Sequence, residues 1–332
     1  MNERIRLYAN IPSSLRRHTL AWSVLLVSMI ATGCVWWGAR YQARVADEER
    51  AQRHVSELRL KIEGRMRSLE QVLANAGALF EGDTNVRRER WKKYSARMDL
   101  PSRAPGALGL GFVEVVSRRQ KDEVVARMRE QKLRDFNIYP AGKREIYAPV
   151  LMLEPGEGAN NHAPGFDMWA EPTLQAALAR AGDTHAAVLS APVTLIQDKD
   201  SNPMAGAMLF LPVYWESDTG PSIWRPLGAL RGWVYSPISA KEFLSALANP
   251  GVASLRFDIR DAGDAQGASS PFASHEPATD AGSSDSVEAS ASMQVFGRTW
   301  VVSAHLSQDP APWTAEVRMR KGRHWQSGRQ RP

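Results

Sequence analysis

The 332-residue chain contains one cysteine, Cys34. An internal disulfide framework and any zinc or iron–sulfur cage built from cysteines are therefore excluded. Its seven histidines, at 18, 54, 162, 185, 275, 305 and 324, never pair at the spacing of metal ligands. No glycine loop ends in the lysine that cradles a phosphate, and no zinc-protease helix motif or serine nucleophile elbow occurs. Gly106, Gly109 and Gly111 have the wrong spacing for a dinucleotide fingerprint. Asp167 and Glu171 lie four apart, as paired carboxylates on a helix would, but Pro172 interrupts any helix through both. The sequence thus offers no catalytic constellation, no metal site and no cofactor motif, and we read it as a non-enzyme.

Net positive charge is also missing from the body, although the whole chain carries +6. Arg4, Arg6, Arg16 and Arg17 against Glu3 put +3 in residues 1–18. Arg318, Arg320, Lys321, Arg323, Arg329 and Arg331 against Glu316 put +5 in 313–332, which leaves −2 for 19–312. A slightly acidic body has no electrostatic footprint for a phosphate backbone, so nucleic acid is not an expected partner.

Long apolar runs are absent except for one. Thr19 to Gly38 has no charged residue, which is about the span of a bilayer core. Trp22 and Trp36-Trp37 suit the two interfacial belts, and the arginines ahead of the run predict a cytoplasmic N-terminus with the rest outside. A cleaved signal is the competing reading, because Ala31-Thr32-Gly33-Cys34 resembles a lipoprotein cleavage box. The apolar run continues through Val35-Trp36-Trp37, which favours a retained anchor.

Proline is missing from Ala39 to Phe80, where charges alternate with spaced apolar residues. Val55, Ile62, Leu69 and Ala76 recur every seven, Leu58, Val72 and Leu79 form a companion row, and Arg65 breaks it. This predicts a stalk helix whose seam either joins two chains or packs on the chain's own domain. Gly82-Asp83 is the expected stop.

Beyond Pro101, strands are expected over 107–116, 145–152, 187–196 and 205–213, with helices over 117–133, capped by Ser117, and 172–181. A second unit is expected to hold strands over 228–235 and 254–260, a helix over 239–248 and last strands over 293–305. Gly263 to Ser292, rich in Gly, Ser, Ala and Asp, reads as a flexible surface insertion. Strands interleaved with short helices at hairpin-length gaps argue an α+β fold.

From Arg90 to Tyr214 the chain resembles the CHASE domain, the extracellular sensor of plant cytokinin receptors and many bacterial signalling proteins. The residues that carry the resemblance are Pro105-Gly106 with Leu108-Gly-Leu-Gly-Phe-Val113, Phe136-Asn-Ile-Tyr-Pro140, Tyr147-Ala-Pro-Val150 and Leu153-Glu-Pro155. Asn160-Asn161, Gly165-Phe-Asp-Met168 with Glu171-Pro172, Ala187-Val-Leu-Ser-Ala-Pro192 and Leu211-Pro-Val-Tyr214 complete the set. The resemblance implies a membrane-anchored stalk helix carrying two PAS-like subdomains, with a small-molecule ligand in the membrane-distal one. It implies domains at 1–18 (cytoplasmic), 19–38 (membrane), 39–81 (stalk), 82–226 (distal), 227–310 (proximal) and 311–332 (tail). It places ligand contacts at Asp167, which matches an aspartate that hydrogen-bonds the adenine part of cytokinin, and at Leu189 and Phe210. The plant family has a small hydroxyl residue where Phe210 stands, so cytokinin itself is not the expected ligand. The competing role for Asp167 is a helix cap.

Proteins of this type usually continue through a second membrane helix to a kinase or cyclase. Here Ala311 to Pro332 has no apolar run. Either this tail is a disordered basic end or the reading frame departs near Pro312, and the second is the preferred expectation. The chain then reads as a sensor module that signals through a dimer or a separate membrane partner with a cytoplasmic output. The alternative is an anchored binding or adaptor protein without output of its own.

Overall fold

A computed structural model describes residues 13–81, 86–156, 160, 162–195, 205–215, 230–247, 256–263, 270–275 and 286–307. The proposed helix stop at Gly82-Asp83 and the basic tail lie outside the described residues. The chain divides into two compact units, Met1–Arg50 and Ala51–Pro332. The fold is α+β.

Helix α1 (Ser13–Glu81) contains no proline, and nothing in its backbone interrupts the i→i−4 ladder. In the first unit its apolar side chains are exposed, Trp22, Trp36 and Trp37 among them. The few polar residues there bond to their own helix: Ser28 Oγ donates to Leu25 O at 2.9 Å and Thr32 Oγ1 to Ser28 O at 2.8 Å. Such back-bonding lets hydroxyls sit among exposed apolar side chains with their donors satisfied. This stretch is long and apolar enough to cross a membrane.

In the second unit α1 buries one stripe: Ala51, Val55, Leu58, Ile62, Met66, Leu69, Leu73, Ala76 and Phe80. The steps of four, three, four, four, three, four, three and four average about 3.6, the pitch of a straight helix rather than the 3.5 of a supercoil. The stripe belongs to the same core as both sheets, so the expected seam packs on the chain's own domain. A dimer through that seam would find it already covered. Arg65, the break in the heptads, reaches the end of helix α6 (Ala240–Leu247), where its guanidinium donates to Ala246 O and, at 3.5 Å, to Phe243 O. A cation there satisfies carbonyls that have no intrahelical partner.

After α1 come helices α2 (Arg88–Arg97) and α3 (Leu100–Arg103), which sequence reasoning did not anticipate. The first sheet joins β1 (Leu110–Glu114), β4 (Val150–Glu154), β5 (Val188–Leu189), β6 (Val193–Thr194), β7 (Ala205–Tyr214) and β8 (Leu230–Ser239). Its order is β4-β1-β8-β7-β5, with β6 also on β7, and every pairing is antiparallel. Strands β2 (Val116–Ser117) and β3 (Ile146–Tyr147) form a small ribbon beside it. Ser117 ends β2 instead of capping a helix; α4 spans Lys121–Glu130 with Gln120 at its N-cap. Helix α5 (Pro172–Thr184) follows a single 3-10 turn at Met168–Ala170.

Strand β8 corrects the expected boundary at 226/227. It is the centre of the first sheet, buried along its whole length, and pairs with β1 on one side and β7 on the other. The first mixed unit therefore extends through Ser239. Two-sided burial also explains why its run Leu230–Ser239 shows no clean polar alternation.

The second sheet runs β10-β9-β12-β11, from β9 (Arg256–Asp261), β10 (Ser270–His275), β11 (Ser286–Val295) and β12 (Arg298–Ser307). Strands β10 and β11 occupy much of the segment expected to be a flexible insertion over 263–292. The low-complexity composition hid them because the small residues Ser and Ala alternate there with few bulky ones, such as Phe272, Val287 and Met293. Trp300 anchors the buried face, against Phe272 at 4.8 Å and Phe243 of α6 at 6.1 Å between ring centroids. Phe296 and Gly297, both at positive φ, close the two-residue hairpin between β11 and β12.

Candidate functional site

Alternation along β7 and β8 sends successive side chains to opposite faces of the first sheet. Leu209, Val213 and Val234 join the core that contains the α1 stripe. Met208, Phe210, Trp233 and Tyr235 join a second core, with Met168 and with Leu174 and Leu178 of α5. Tyr235 can lie across the sheet because its register partner is Gly111, where a Cβ would come within 2.3 Å of the ring.

The second core is covered by the segment from Tyr139 to Trp169, which the buried carboxylate of Asp167 ties together. Asp167 Oδ1 accepts from Ala148 N at 2.8 Å and Trp169 N at 3.1 Å, and Oδ2 accepts from Arg144 Nη1 at 3.1 Å. Its own amide donates to Tyr139 O at 2.7 Å. The side chain is fully buried, and Arg144 supplies the charge partner that a buried carboxylate requires. Asp167 is therefore the cap of the 3-10 turn and the clasp of the covering segment. Glu171, its neighbour in the sequence argument, caps α5 by accepting from Leu174 N at 2.7 Å. Both carboxylates of that pair are spent on backbone amides, which suits structure and not acid–base chemistry.

Aromatic rings fill the layer between segment and sheet. Trp169 faces Trp233 at 6.1 Å, Phe210 faces Tyr235 at 6.0 Å, and Tyr139 faces Phe166 at 5.7 Å. Within it Trp233 Nε1 is buried and has no hydrogen-bond partner among the described residues. Burial pushes the Tyr235 phenol far above its ordinary range, and nearby Tyr139 adds to the shift. Tyr139 is raised by burial as well, while its hydroxyl donates to His162 O. Trp91 Nε1 is also buried and unbonded, but it lies in the α1-side core between Phe80 and Tyr94.

The three residues singled out from the sequence do not converge. Phe210 lies in the second core and Asp167 closes the segment over it, but Leu189 faces the other way. Its register partner is Leu209, and both belong to the α1-side core, whereas Val188 is opposite Phe210. A one-residue step along a strand moves a side chain to the other face, and the resemblance could not resolve that step. Trp233, Tyr235 and Arg144 were missed. The alternation Trp233-Val234-Tyr235 was a visible signal for two rings on one face; Arg144, in a loop beside Lys143, gave none.

The CHASE domain model matches residues 84–272, more than half the chain, and the chain belongs to the CHASE domain family. CHASE domains are extracytoplasmic sensor domains that bind small ligands in signalling, so the matched family is sensory. No curated protein is similar enough to the chain to be matched.

Proposed function

We propose that the protein is a membrane-anchored sensor whose second core, between β7–β8 and the segment 139–169, receives a small molecule. On this reading 19–38 stays in the membrane with a cytoplasmic N-terminus, and the sheets lie on the periplasmic or extracellular side. Ligand entry parts the aromatic layer, and the displacement of β8 reaches α1 through Arg231. That residue follows β8's first position, is buried, and donates to Phe80 O at the end of α1. A contact that differs between the free and liganded states would pass binding energy to the helix.

The observation that carries the reading is the buried, unbonded Trp233 Nε1. A buried donor without an acceptor is costly, and a ligand acceptor would relieve it. Asp167 supports the pocket in this account by holding the covering segment, and Phe210 lines it; Leu189 is no longer assigned a contact. The test is thermal unfolding of the full chain in detergent against a panel of nucleobases, amino acids and small carboxylic acids. A ligand that binds only the folded state raises the transition temperature. The expected result is a rise with at least one compound that Trp233→Phe removes without lowering the unliganded transition. No rise with any compound, or a rise that survives Trp233→Phe, would refute the assignment.

A further inference from the structure

A cavity of about 380 Å³ lies between α2–α3 and the β1–β4 side of the first sheet, lined by residues from 92–101, 107–110 and 154–156. That volume falls in the usual range for small-molecule sites, roughly 300–1,000 Å³. Its walls are mainly apolar, with Met98 and Leu100 on the helical side and Leu108 and Leu110 on the sheet side. Leu110 belongs to the α1-side core and Leu108 packs against the second core, so the cavity borders both.

One charged side chain in the lining is more than nine-tenths buried. Glu154, the last residue of β4, is 6% exposed. Its Oε2 accepts from Gly156 N at 2.9 Å, and among the described residues Oε1 has no hydrogen-bond partner. Although the residue as a whole is largely buried, Oε1 is not sealed from solvent, so a donor that enters the opening can reach it. Asp99 adds a second negative charge to the lining and Lys92 one positive charge, so the lining is acidic by one. Arg88 reaches the same turn, but it is not part of the lining and makes no ion pair with Glu154 among the described contacts.

We propose that this cavity is a second binding site, for a small organic amine with an apolar body. The ammonium donates to Glu154 Oε1, and the hydrocarbon lies against Met98, Leu100, Leu108 and Leu110. A charge-assisted bond in a partly desolvated cavity is stronger than a neutral one, so the head group decides the affinity. Its lining includes none of Trp233, Tyr235 and Phe210, the residues assigned to sensing.

Three probes share one ring and differ in the head group: cyclohexylmethylamine, cyclohexanemethanol and cyclohexanecarboxylate. Each is titrated calorimetrically into the full chain in detergent, so partition into micelles is common to every variant. The amine is expected to bind at least about tenfold tighter than the alcohol, with the carboxylate weakest. Glu154→Gln should bring amine and alcohol to similar affinity. Ser95→Trp fills the cavity from α2 while keeping the carboxylate, and should abolish binding of the amine even if Glu154→Gln folds poorly. Equal affinity for amine and alcohol in the unmodified chain, or amine binding that survives Ser95→Trp, overturns the proposal.

Discussion

One face of the six-stranded sheet meets the α1 stripe and the other meets the segment 139–169 with α5, and the two are packed by different rules. On the α1 side, aliphatic residues from five strands interlock with a helical stripe of constant pitch. Its strongest ring contact is a near-parallel stack of Phe112 on Phe80, 3.9 Å between centroids. On the other side, six aromatic residues and an ion pair with a buried carboxylate share the space. Each face also buries one unbonded indole, so unsatisfied donors alone do not separate them. What does is the cover: one long helix on one side, and on the other α5 with the loops that flank β3 and β4, held by one carboxylate. Loops are the kind of element that can open at low cost, whereas a helix with eleven buried positions must be peeled away.

The largest effect is expected from breaking the α1 side. Phe112→Ala removes the stack on Phe80 and leaves a void between the sheet and the end of α1. The expected loss is about 3–5 kcal/mol of unfolding free energy, read by denaturant titration of the full chain in detergent. A loss below about 1 kcal/mol, the level of a surface change, would mean that α1 is not an integral layer of the core.

Next is the clasp on the other side. Asp167→Ala removes three accepted hydrogen bonds and leaves the Ala148 and Trp169 amides, and the half-buried Arg144, without their acceptor. About 3 kcal/mol is expected, below the Phe112 change because Arg144 can turn to water. The distinguishing readout is local: amide exchange over residues 139–169 should accelerate far more than exchange in α1. Uniform acceleration would show that the cover and the helix open as one cooperative unit, and the contrast between the faces would fail.

These two faces also differ in how far the sequence revealed them. The α1 stripe was visible as a helical repeat, but only as one of two alternatives, because a run of three heptads fits a dimer seam as well as a core stripe. Met66 and Leu73, which carry the register from 3.5 to 3.6, decide between them only once the sheet is present. Of the three residues taken from the CHASE resemblance, Phe210 lies in the second core, Asp167 caps the turn beside it, and Leu189 lies on the α1 side. The motifs could not place β8 in the middle of the first sheet, because pairing between β1 and β8 joins residues about 120 positions apart. Arg144 was invisible for the same reason: its partner is set by the fold of a loop, not by spacing. Strands β10 and β11 escaped because composition outweighed alternation in a Ser- and Ala-rich stretch.

The smallest effect sharpens the comparison through pH. Tyr235 is buried in the aromatic layer, and its phenol is held protonated well above the ordinary tyrosine range. In the unfolded chain tyrosine loses its proton near pH 10, roughly its reference value. Between that point and the folded value the native state holds a proton that the unfolded state has released. Stability is therefore full below about pH 10 and falls as pH rises further, by up to about 1.4 kcal/mol per pH unit for one such group. Tyr235→Phe should flatten that alkaline slope and leave the transition at pH 7 nearly unchanged. Tyr94, on the α1 side, is raised by burial but opposed by the nearby Arg103 charge, so Tyr94→Phe should flatten the slope less. Denaturant midpoints from pH 9 to 11.5 for the three proteins give the ranking. An alkaline slope that Tyr235→Phe leaves intact would show that the layer admits water to the phenol, and that the loop-covered face is already open without ligand.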